Sequence, residues 1–231
     1  MPRLQGAVVR WREKAFGVEL LRGYEVLGGS PGVMRDFVQV NGENGLPAPE
    51  RYEVAMRSEN RLTLRAQGPA GLIVERQMSV DAEGVDVVLT VHNPTSTSLT
   101  CTFGLFPEFT TLGEQSVEVW IEKCGAWERI GEIGNDSSLP WGGEDLPAEG
   151  VERWAYYIPS RDISVVNAFD GEATTLSFFY AYDNRHQEVD LNLVAENRDC
   201  KPGAARSLHA SYRVMQGAPA AAAAQIGGEE K

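Results

Sequence analysis

The residues best suited to chemistry are aromatic and acidic side chains that alternate along strand-like segments. In the segment 117–122, Trp120 falls between Glu118 and Glu122 on one face of a period-2 pattern, with three aliphatic residues on the other. An indole ring stacks on the apolar C–H face of a sugar, and carboxylates accept hydrogen bonds from hydroxyl groups. The pattern predicts a sugar platform, extended by Trp127 and Arg129 on the next strand. Alternatively, Trp120 lies between two packed sheets.

Three further aromatic residues are candidates for the rim of a ligand-binding sheet. Trp154 and Tyr156 share a strand face with Glu152, and Trp141 lies in the segment 131–150, which is dense in Gly, Pro, Asn and acidic residues. Long irregular segments in compact domains often form functional rims, so we expect Trp141, Trp154 and Tyr156 to bind ligand. Alternatively, the segment 131–150 is a flexible insertion without a binding role, in which Trp141 packs against the surface of the protein.

Proton transfer is conceivable at the turn 183–186, where Asp183 and His186 follow a strand-like segment. An imidazole beside a carboxylate acts as an acid or a base near neutral pH. The alternative is a solvated hairpin tip without a chemical role. No histidine lies two or four residues from another, so no metal site is predicted, and no glycine-rich nucleotide motif occurs, so no cofactor is predicted.

Composition narrows the class of partner. The chain has 231 residues, 42% of them hydrophobic, with 33 acidic and 21 basic residues and a net charge of −12. This composition favours a folded, soluble protein and argues against a nucleic acid or a membrane as partner. The first residues lack the apolar core of a secretory signal, so we expect a cytoplasmic location. Composition leaves the oligomeric state open.

Strand-like alternation runs through almost the whole chain. Segments such as 85–92, 98–106, 163–169, 174–182, 187–195 and 208–214 each alternate apolar and polar residues, and turn residues separate them. Strand plus turn recurs about every ten residues, which is typical of an antiparallel sandwich. We predict an all-β protein with antiparallel sheets, one domain over residues 1–216, and a disordered Ala/Gly-rich tail over 217–231.

Three blocks of the sequence resemble the galactose mutarotase-like (aldose 1-epimerase-like) proteins. Residues 6–21 (GAVVRWREKAFGVELL) resemble their first hairpin, residues 85–109 their V-x-N-x-(S/T)…G-x-H-P-x-F segment, and residues 189–208 their final L-x-P-G-E strand pair. The blocks occur in the family's order and span nearly the whole domain. The resemblance implies a β-supersandwich with a carbohydrate groove on its concave sheet.

This chain departs from the family at the two positions where the resemblance implies a catalytic acid and a catalytic base. Phe106 stands where the family has His before Pro, and Ala204 stands where it has Glu after Pro-Gly. Neither side chain can transfer a proton. We therefore expect a divergent carbohydrate-binding protein that lacks the usual acid and base. The alternatives are an epimerase or glycoside-hydrolase-like enzyme with relocated catalytic residues, for which Glu108, His186 and Asp183 are the candidates, and a structural domain without a small-molecule ligand.

Overall fold

The structure is a computed structural model that describes residues 11–20, 35–42, 52–114, 116–133, 141–182 and 187–221. Strands account for most of these residues, and a single 3-10 turn spans Pro69–Gly71. The strands are β1 (Arg12–Glu13), β2 (Val18–Glu19), β3 (Arg35–Val40), β4 (Glu53–Arg57), β5 (Arg61–Gln67), β6 (Ile73–Val80), β7 (Gly84–His92), β8 (Leu99–Phe106), β9 (Glu108–Thr110), β10 (Val117–Lys123), β11 (Ala126–Ile133), β12 (Trp141–Pro147), β13 (Arg153–Ile158), β14 (Ile163–Gly171), β15 (Ala173–Tyr182), β16 (Gln187–Cys200) and β17 (Ala205–Gln216).

Two large antiparallel sheets form the protein. One has nine strands in the order β11-β10-β13-β14-β17-β7-β6-β5-β4. The other has six strands: five stand in the order β12-β15-β16-β8-β3, and the sixth, β9, pairs with β16. Strands β1 and β2 form a separate small hairpin. One hydrophobic core contains residues of both large sheets. The predicted all-β antiparallel sandwich is therefore confirmed.

The core follows from the period-2 pattern of the strands. Every second residue of β7 from Val85 to Val91 is fully or almost fully buried, and the same holds for β16 from Val189 to Ala195. The aromatic centre of the core is Phe109, whose ring centroid lies 5.4 Å from that of Tyr156 and 5.7 Å from that of Tyr212. Within the described ranges, no helix is long and apolar enough to cross a membrane.

A buried ion pair joins the two sheets. The Arg76 guanidinium on β6 lies 3.3 Å from the Asp36 carboxylate on β3, and both side chains are at most 1% exposed. Tyr52 donates its hydroxyl hydrogen bond to Asp36, and its ring lies 5.3 Å beneath the guanidinium. Burial, together with the neighbouring Asp36 charge, raises the pKa of Tyr52 well above its ordinary value. Tyr52 therefore remains a hydrogen-bond donor in the folded protein.

Strand β16 organises the six-stranded sheet. It is 14 residues long, and it pairs with β8 along one part of its length and with β9 along another. Leu193 pairs with Leu105 and Asp190 pairs with Glu108, so β8 and β9 continue one register across the intervening Pro107. Residues 106 and 108 therefore lie on the same face of the sheet.

The structure differs from the expectation for the segment 131–150. Residues through Ile133 continue β11, and Trp141–Pro147 form β12, which pairs with β15 at the edge of the six-stranded sheet. The prediction of an irregular loop is wrong for these residues. An edge strand is held by backbone hydrogen bonds to one neighbour, and β12 carries little of the apolar alternation by which strands are recognised.

The chain remains attached to the nine-stranded sheet just beyond residue 216. The Gly217 N–H donates to the Asp162 carbonyl, and the Gly217 carbonyl accepts a bond from the Ser164 hydroxyl. Residues 222–231, most of the predicted tail, lie outside the described residues, as do residues 1–10, which include the start of the hairpin expected over residues 6–21.

Candidate functional site

The candidate site lies on the outer face of the six-stranded sheet, away from the shared core. Leu105, Leu193 and Phe109 point into the core, so the intervening positions of β8, β9 and β16 face outward. Glu108 and Asp190 are direct cross-strand partners on this outer face. Partners of this kind have Cβ atoms about 5 Å apart, so the two carboxyl groups are neighbours.

Four residues form the adjacent row across the sheet. Asp145 on β12 pairs with Ser177 on β15, and Ser177 pairs with Asn192 on β16. Pairing of Leu105 with Leu193 places Phe106 beside Asn192. We call the six outward residues of these two rows the Glu108 face: Glu108, Asp190, Asp145, Ser177, Asn192 and Phe106.

Burial is graded across the Glu108 face. Asp145 is exposed and Ser177 is half-buried, whereas Asn192 is 4%, Glu108 3% and Asp190 9% exposed. The buried Asn192 Oδ1 accepts no hydrogen bond from any residue that the structure describes. Burial of a polar atom without a partner is costly, so a ligand that donates a hydrogen bond to this oxygen would be stabilised there.

An aromatic pair borders the polar groups. The Phe106 and Phe37 ring centroids are 4.7 Å apart, and Phe37 pairs with Gly104 on the neighbouring strand. A Cβ atom at Gly104 would lie 2.3 Å from the Phe37 ring and 2.4 Å from the Leu193 carbonyl oxygen. The absence of a side chain at position 104 therefore leaves space for the Phe37 ring above strand β8. Phe106 stays half-buried beside Asn192.

The chemistry available on the Glu108 face is that of hydrogen-bond acceptance and proton transfer. Carboxylates accept only, while an amide and a hydroxyl can accept as well as donate. Such a set, beside the face of an aromatic ring, suits a molecule that carries several hydroxyl groups on an apolar C–H framework. Two neighbouring carboxyl groups could also give and take protons.

Four of the predicted ligand-binding residues come together on the other sheet. Glu118, Trp120, Trp127 and Arg129 lie on the outer face of β10 and β11, at the edge of the nine-stranded sheet. The Trp120 indole N–H donates to Glu118 over 2.9 Å, and Arg129 lies 3.2 Å from the other oxygen of the same carboxylate. Both Trp side chains are half-buried.

The carboxylates of this predicted platform are occupied by protein groups. Glu122 is 2% exposed and forms a two-pronged ion pair with Arg153, whose guanidinium lies 5.6 Å from the Trp127 ring centroid. The hydrogen bonds that Arg153 donates to Glu122 raise the pKa of Arg153, so its guanidinium stays charged. Sugar binding at Trp120 stays a prediction, with fewer free acceptors than the sequence indicated.

Trp154 and Tyr156 were predicted to bind ligand at the rim of a sheet, but the structure does not place them on a ligand-accessible face. Both are 0% exposed and belong to the core between the sheets. The Trp154 indole N–H donates to Asn167 over 3.2 Å. Strand β13 carries large residues on both faces, and it is Arg153 and Tyr157 that face outward.

The remaining predicted residues have partial or no description. Trp141 pairs with Ala181 through its backbone, at the edge of the sheet that carries the Glu108 face. Asp183 and His186 lie outside the described residues. Glu108 is thus the one predicted catalytic residue that the structure describes, and it lies on the other sheet from Trp120.

Sequence reasoning missed the partners of Glu108. Asp190 and Asn192 alternate with buried aliphatic residues and therefore read as the wet face of a strand, yet both are buried. Asp190 could have been recognised as a partner of Glu108 only from the pairing of β9 with β16. That pairing joins residues 82 positions apart and produces no pattern among neighbouring residues of the sequence.

Comparison with solved structures identifies the fold. A galactose mutarotase-like protein from Lactobacillus casei matches with a TM-score of 0.73 and 12% identity, over 93% of this chain and 95% of that one. A galactose mutarotase related enzyme from Lactobacillus acidophilus matches with 0.64 and 11%, over 95% of each chain. A galactose mutarotase-like protein from Clostridium acetobutylicum matches with 0.64 and 12%, over 94% and 91%.

The chain therefore has the galactose mutarotase-like fold, as the resemblance of its sequence implied. The low identities are those of a divergent chain. No protein-family model and no curated protein sequence matches it at a significant level.

Proposed function

We propose that the protein binds a carbohydrate on the Glu108 face. The observation that carries this proposal is the opposed pair Glu108 and Asp190, set beside Asn192 and the Phe106 ring on an outward sheet face. Hydroxyl groups of a sugar would donate to the acceptor atoms, and a C–H face would stack on Phe106. The names of the similar structures, which refer to galactose mutarotase, support a sugar as the ligand.

Affinity at such a face is expected to be weak. An aromatic stack contributes on the order of 1 kcal/mol, and a hydrogen bond to a charged group about 1.5–3 kcal/mol. Offset by the loss of translational freedom, this corresponds to a Kd from about 0.1 mM to 10 mM for a monosaccharide.

Titration followed by amide NMR tests the proposal. Neutral monosaccharides and disaccharides added to the full chain should shift signals of β8, β9, β15 and β16, and Glu108→Gln should weaken binding at least fivefold. Glu83→Gln, which is 81% exposed in the turn between β6 and β7 of the other sheet, is the control and should bind as the parent does. Shifts confined to β10 and β11 would transfer the site to Trp120. Unchanged affinity in Glu108→Gln would refute the Glu108 face.

A second candidate function is catalysis of proton transfer on the bound sugar. The juxtaposition of Glu108 and Asp190 favours it, because interconversion of anomers needs one group that protonates the ring oxygen and one that takes the anomeric proton. Phe106 and Ala204 cannot serve, so the two carboxyl groups would have to do so. NMR exchange between anomers measures the rate. Catalysis that survives in both Glu108→Gln and Asp190→Asn would rule out this assignment.

A further inference from the structure

We infer that the sugar bound on the Glu108 face carries an apolar substituent, as an alkyl or aryl glycoside does. The inference rests on the proposed function and deepens it, because it specifies what is attached to the sugar. The observation that carries it is a row of apolar positions directly beside the Glu108 face, on the same side of the sheet.

This apolar row crosses the six-stranded sheet one step along the strands from the Glu108 face. Pro147 on β12 pairs with Thr175 on β15, and Thr175 pairs with Val194 on β16. Val194 pairs with Gly104 on β8, and Gly104 pairs with Phe37 on β3. Positions 147, 175, 194 and 104 each lie two residues from a member of the Glu108 face, so they point outward as well. We call the row the Val194 strip: Pro147, Thr175, Val194, Gly104 and Phe37.

The Val194 strip differs in chemistry from an ordinary outer face. An antiparallel sheet with one face on the core normally carries polar side chains on the other. The strip has no charged residue, and the Thr175 hydroxyl is its single polar side-chain group. Val194 and Thr175 are half-buried and Pro147 is exposed, so their apolar atoms are accessible. Accessible apolar surface that adjoins polar groups is typical of a ligand-binding groove.

Aromatic rings close one end of the strip. The Phe37 ring lies over Gly104, where a Cβ atom would come within 2.3 Å of it, and its centroid is 4.7 Å from that of Phe106. Phe37 is 6% exposed, so it forms a wall of the strip and not its surface. Neighbouring strands are about 4.8 Å apart, so the part from Val194 to Pro147 extends over about 10 Å. A short alkyl chain or a phenyl ring lies within that length.

The spacing along β16 relates the substituent to the sugar. Val194 follows Asn192 by two residues, so the two side chains are about 7 Å apart. Asn192 is 4% exposed, and its Oδ1 accepts no hydrogen bond within the described part of the chain. A sugar hydroxyl that donates to this oxygen would be stabilised there. A substituent on the neighbouring ring carbon then extends toward Val194, and an alkyl chain or an aryl ring covers the distance whereas a methyl group does not.

A second sugar unit is a poorer occupant of the strip. Its hydroxyl groups would lose hydrogen bonds to water, and the strip offers them the Thr175 hydroxyl alone in exchange. An alkyl or aryl group carries no hydrogen bonds to lose, and removal of its surface from water against Val194 and Pro147 is favourable. The strip therefore favours a glycoside with an apolar group over an oligosaccharide.

Titration of the full chain with methyl and hexyl glucosides, each in both anomeric forms, tests the inference by amide NMR. The same pair of galactosides covers a second hexose configuration. In at least one series the hexyl glycoside should bind at least tenfold more tightly than the methyl glycoside, which corresponds to about 1.4 kcal/mol. Its additional shifts should fall on Thr175 and Val194. Maltose should bind no better than methyl glucoside, and 1-hexanol should bind at least tenfold more weakly than the hexyl glycoside.

Paired variants of similar size locate the preference and guard against misfolding. Val194→Thr replaces a methyl group by a hydroxyl and should reduce the hexyl-over-methyl preference at least threefold. Thr175→Val makes the reverse change and should increase the preference, which provides the test if Val194→Thr does not fold. Val88→Thr is the matched control, because Val88 is also half-buried but lies on β7 of the other sheet. It should leave the preference unchanged.

The outcomes separate the inference from the proposed function. Equal binding of methyl and hexyl glycosides overturns the inference and leaves carbohydrate binding in place, as does tighter binding of maltose than of the hexyl glycoside. Binding of 1-hexanol as tight as that of the glycoside also overturns the inference, because the apolar group would then bind without the sugar. A preference that is unchanged in both Val194→Thr and Thr175→Val overturns the assignment to this strip. Binding of none of these glycosides overturns the inference, and if a broad set of neutral sugars also fails, the proposed function falls with it.

Discussion

The ion pair between the sheets gives a quantitative test of how the sandwich is held together. Asp36→Asn removes the negative charge that faces Arg76 and leaves a fully buried guanidinium without its carboxylate. An exposed pair is worth at most about 1 kcal/mol, but removal of one partner from a buried pair costs about 3–5 kcal/mol. In a domain of this length the melting temperature should fall by about 10 °C.

Urea unfolding at neutral pH, followed by tryptophan fluorescence, measures the loss. Glu114→Gln is the control, because its partner Arg161 is 52% exposed and the pair lies at the surface. It should lower the free energy of unfolding by less than about 1 kcal/mol. The double variant Asp36→Leu/Arg76→Met removes both charges and should lie within about 2 kcal/mol of the parent.

Two results would show that this reasoning is wrong. Asp36→Asn could unfold within about 1 kcal/mol of the parent, which would mean that water or other groups already solvate the guanidinium. Alternatively, the double variant could be as unstable as the single one. Its instability would then come from lost packing between β3 and β6 and not from an uncompensated charge.

Three further predictions concern buried tyrosines and a close glycine. Burial raises the pKa of Tyr52, Tyr156 and Tyr212, so above about pH 10 the unfolded chain loses protons that the native chain keeps. The free energy of unfolding should therefore fall by about 1.4 kcal/mol per pH unit for each tyrosine, and a flat urea-unfolding profile to about pH 11 would contradict this. Tyr156→Phe removes a buried hydroxyl that has no hydrogen-bond partner among the described residues, so it should unfold at equal or higher urea and lessen the alkaline slope by about a third; marked destabilisation would show a further partner. Gly104→Ala forces a Cβ atom to 2.4 Å from the Leu193 carbonyl oxygen and should cost about 2–3 kcal/mol in urea unfolding, whereas parent-like stability would show that β8 and β16 can separate.

The fold could be predicted because alternation is a local property. Val117, Val119 and Ile121 share one face of β10 in the sequence, and all three are buried in the structure. The same reasoning failed for Trp154 and Tyr156 because alternation shows which residues share a face but not which face is covered. Where both faces of a strand carry large side chains, only the pairing of the strand with its neighbours decides which face is buried.

The candidate site could be predicted only in part for a related reason. The sequence indicates Glu108 as a candidate for a relocated catalytic residue, and the structure places it at a buried position on the outer face of its sheet. Its partner Asp190 lies on a strand far away in the chain. Contacts of that kind depend on long-range register, which no window of neighbouring residues contains.

The continuous register of β8 and β9 along β16 constrains how this chain could change in length. Because side chains alternate between faces, insertion or deletion of one residue at Pro107 would turn Glu108 toward the core and Phe109 toward the outer face. A change of two residues would preserve both orientations but would move Glu108 away from Asp190. The number of residues between Phe106 and Glu108 is therefore fixed by the pairing with β16. We expect insertions and deletions at this point to be far less tolerated than substitutions.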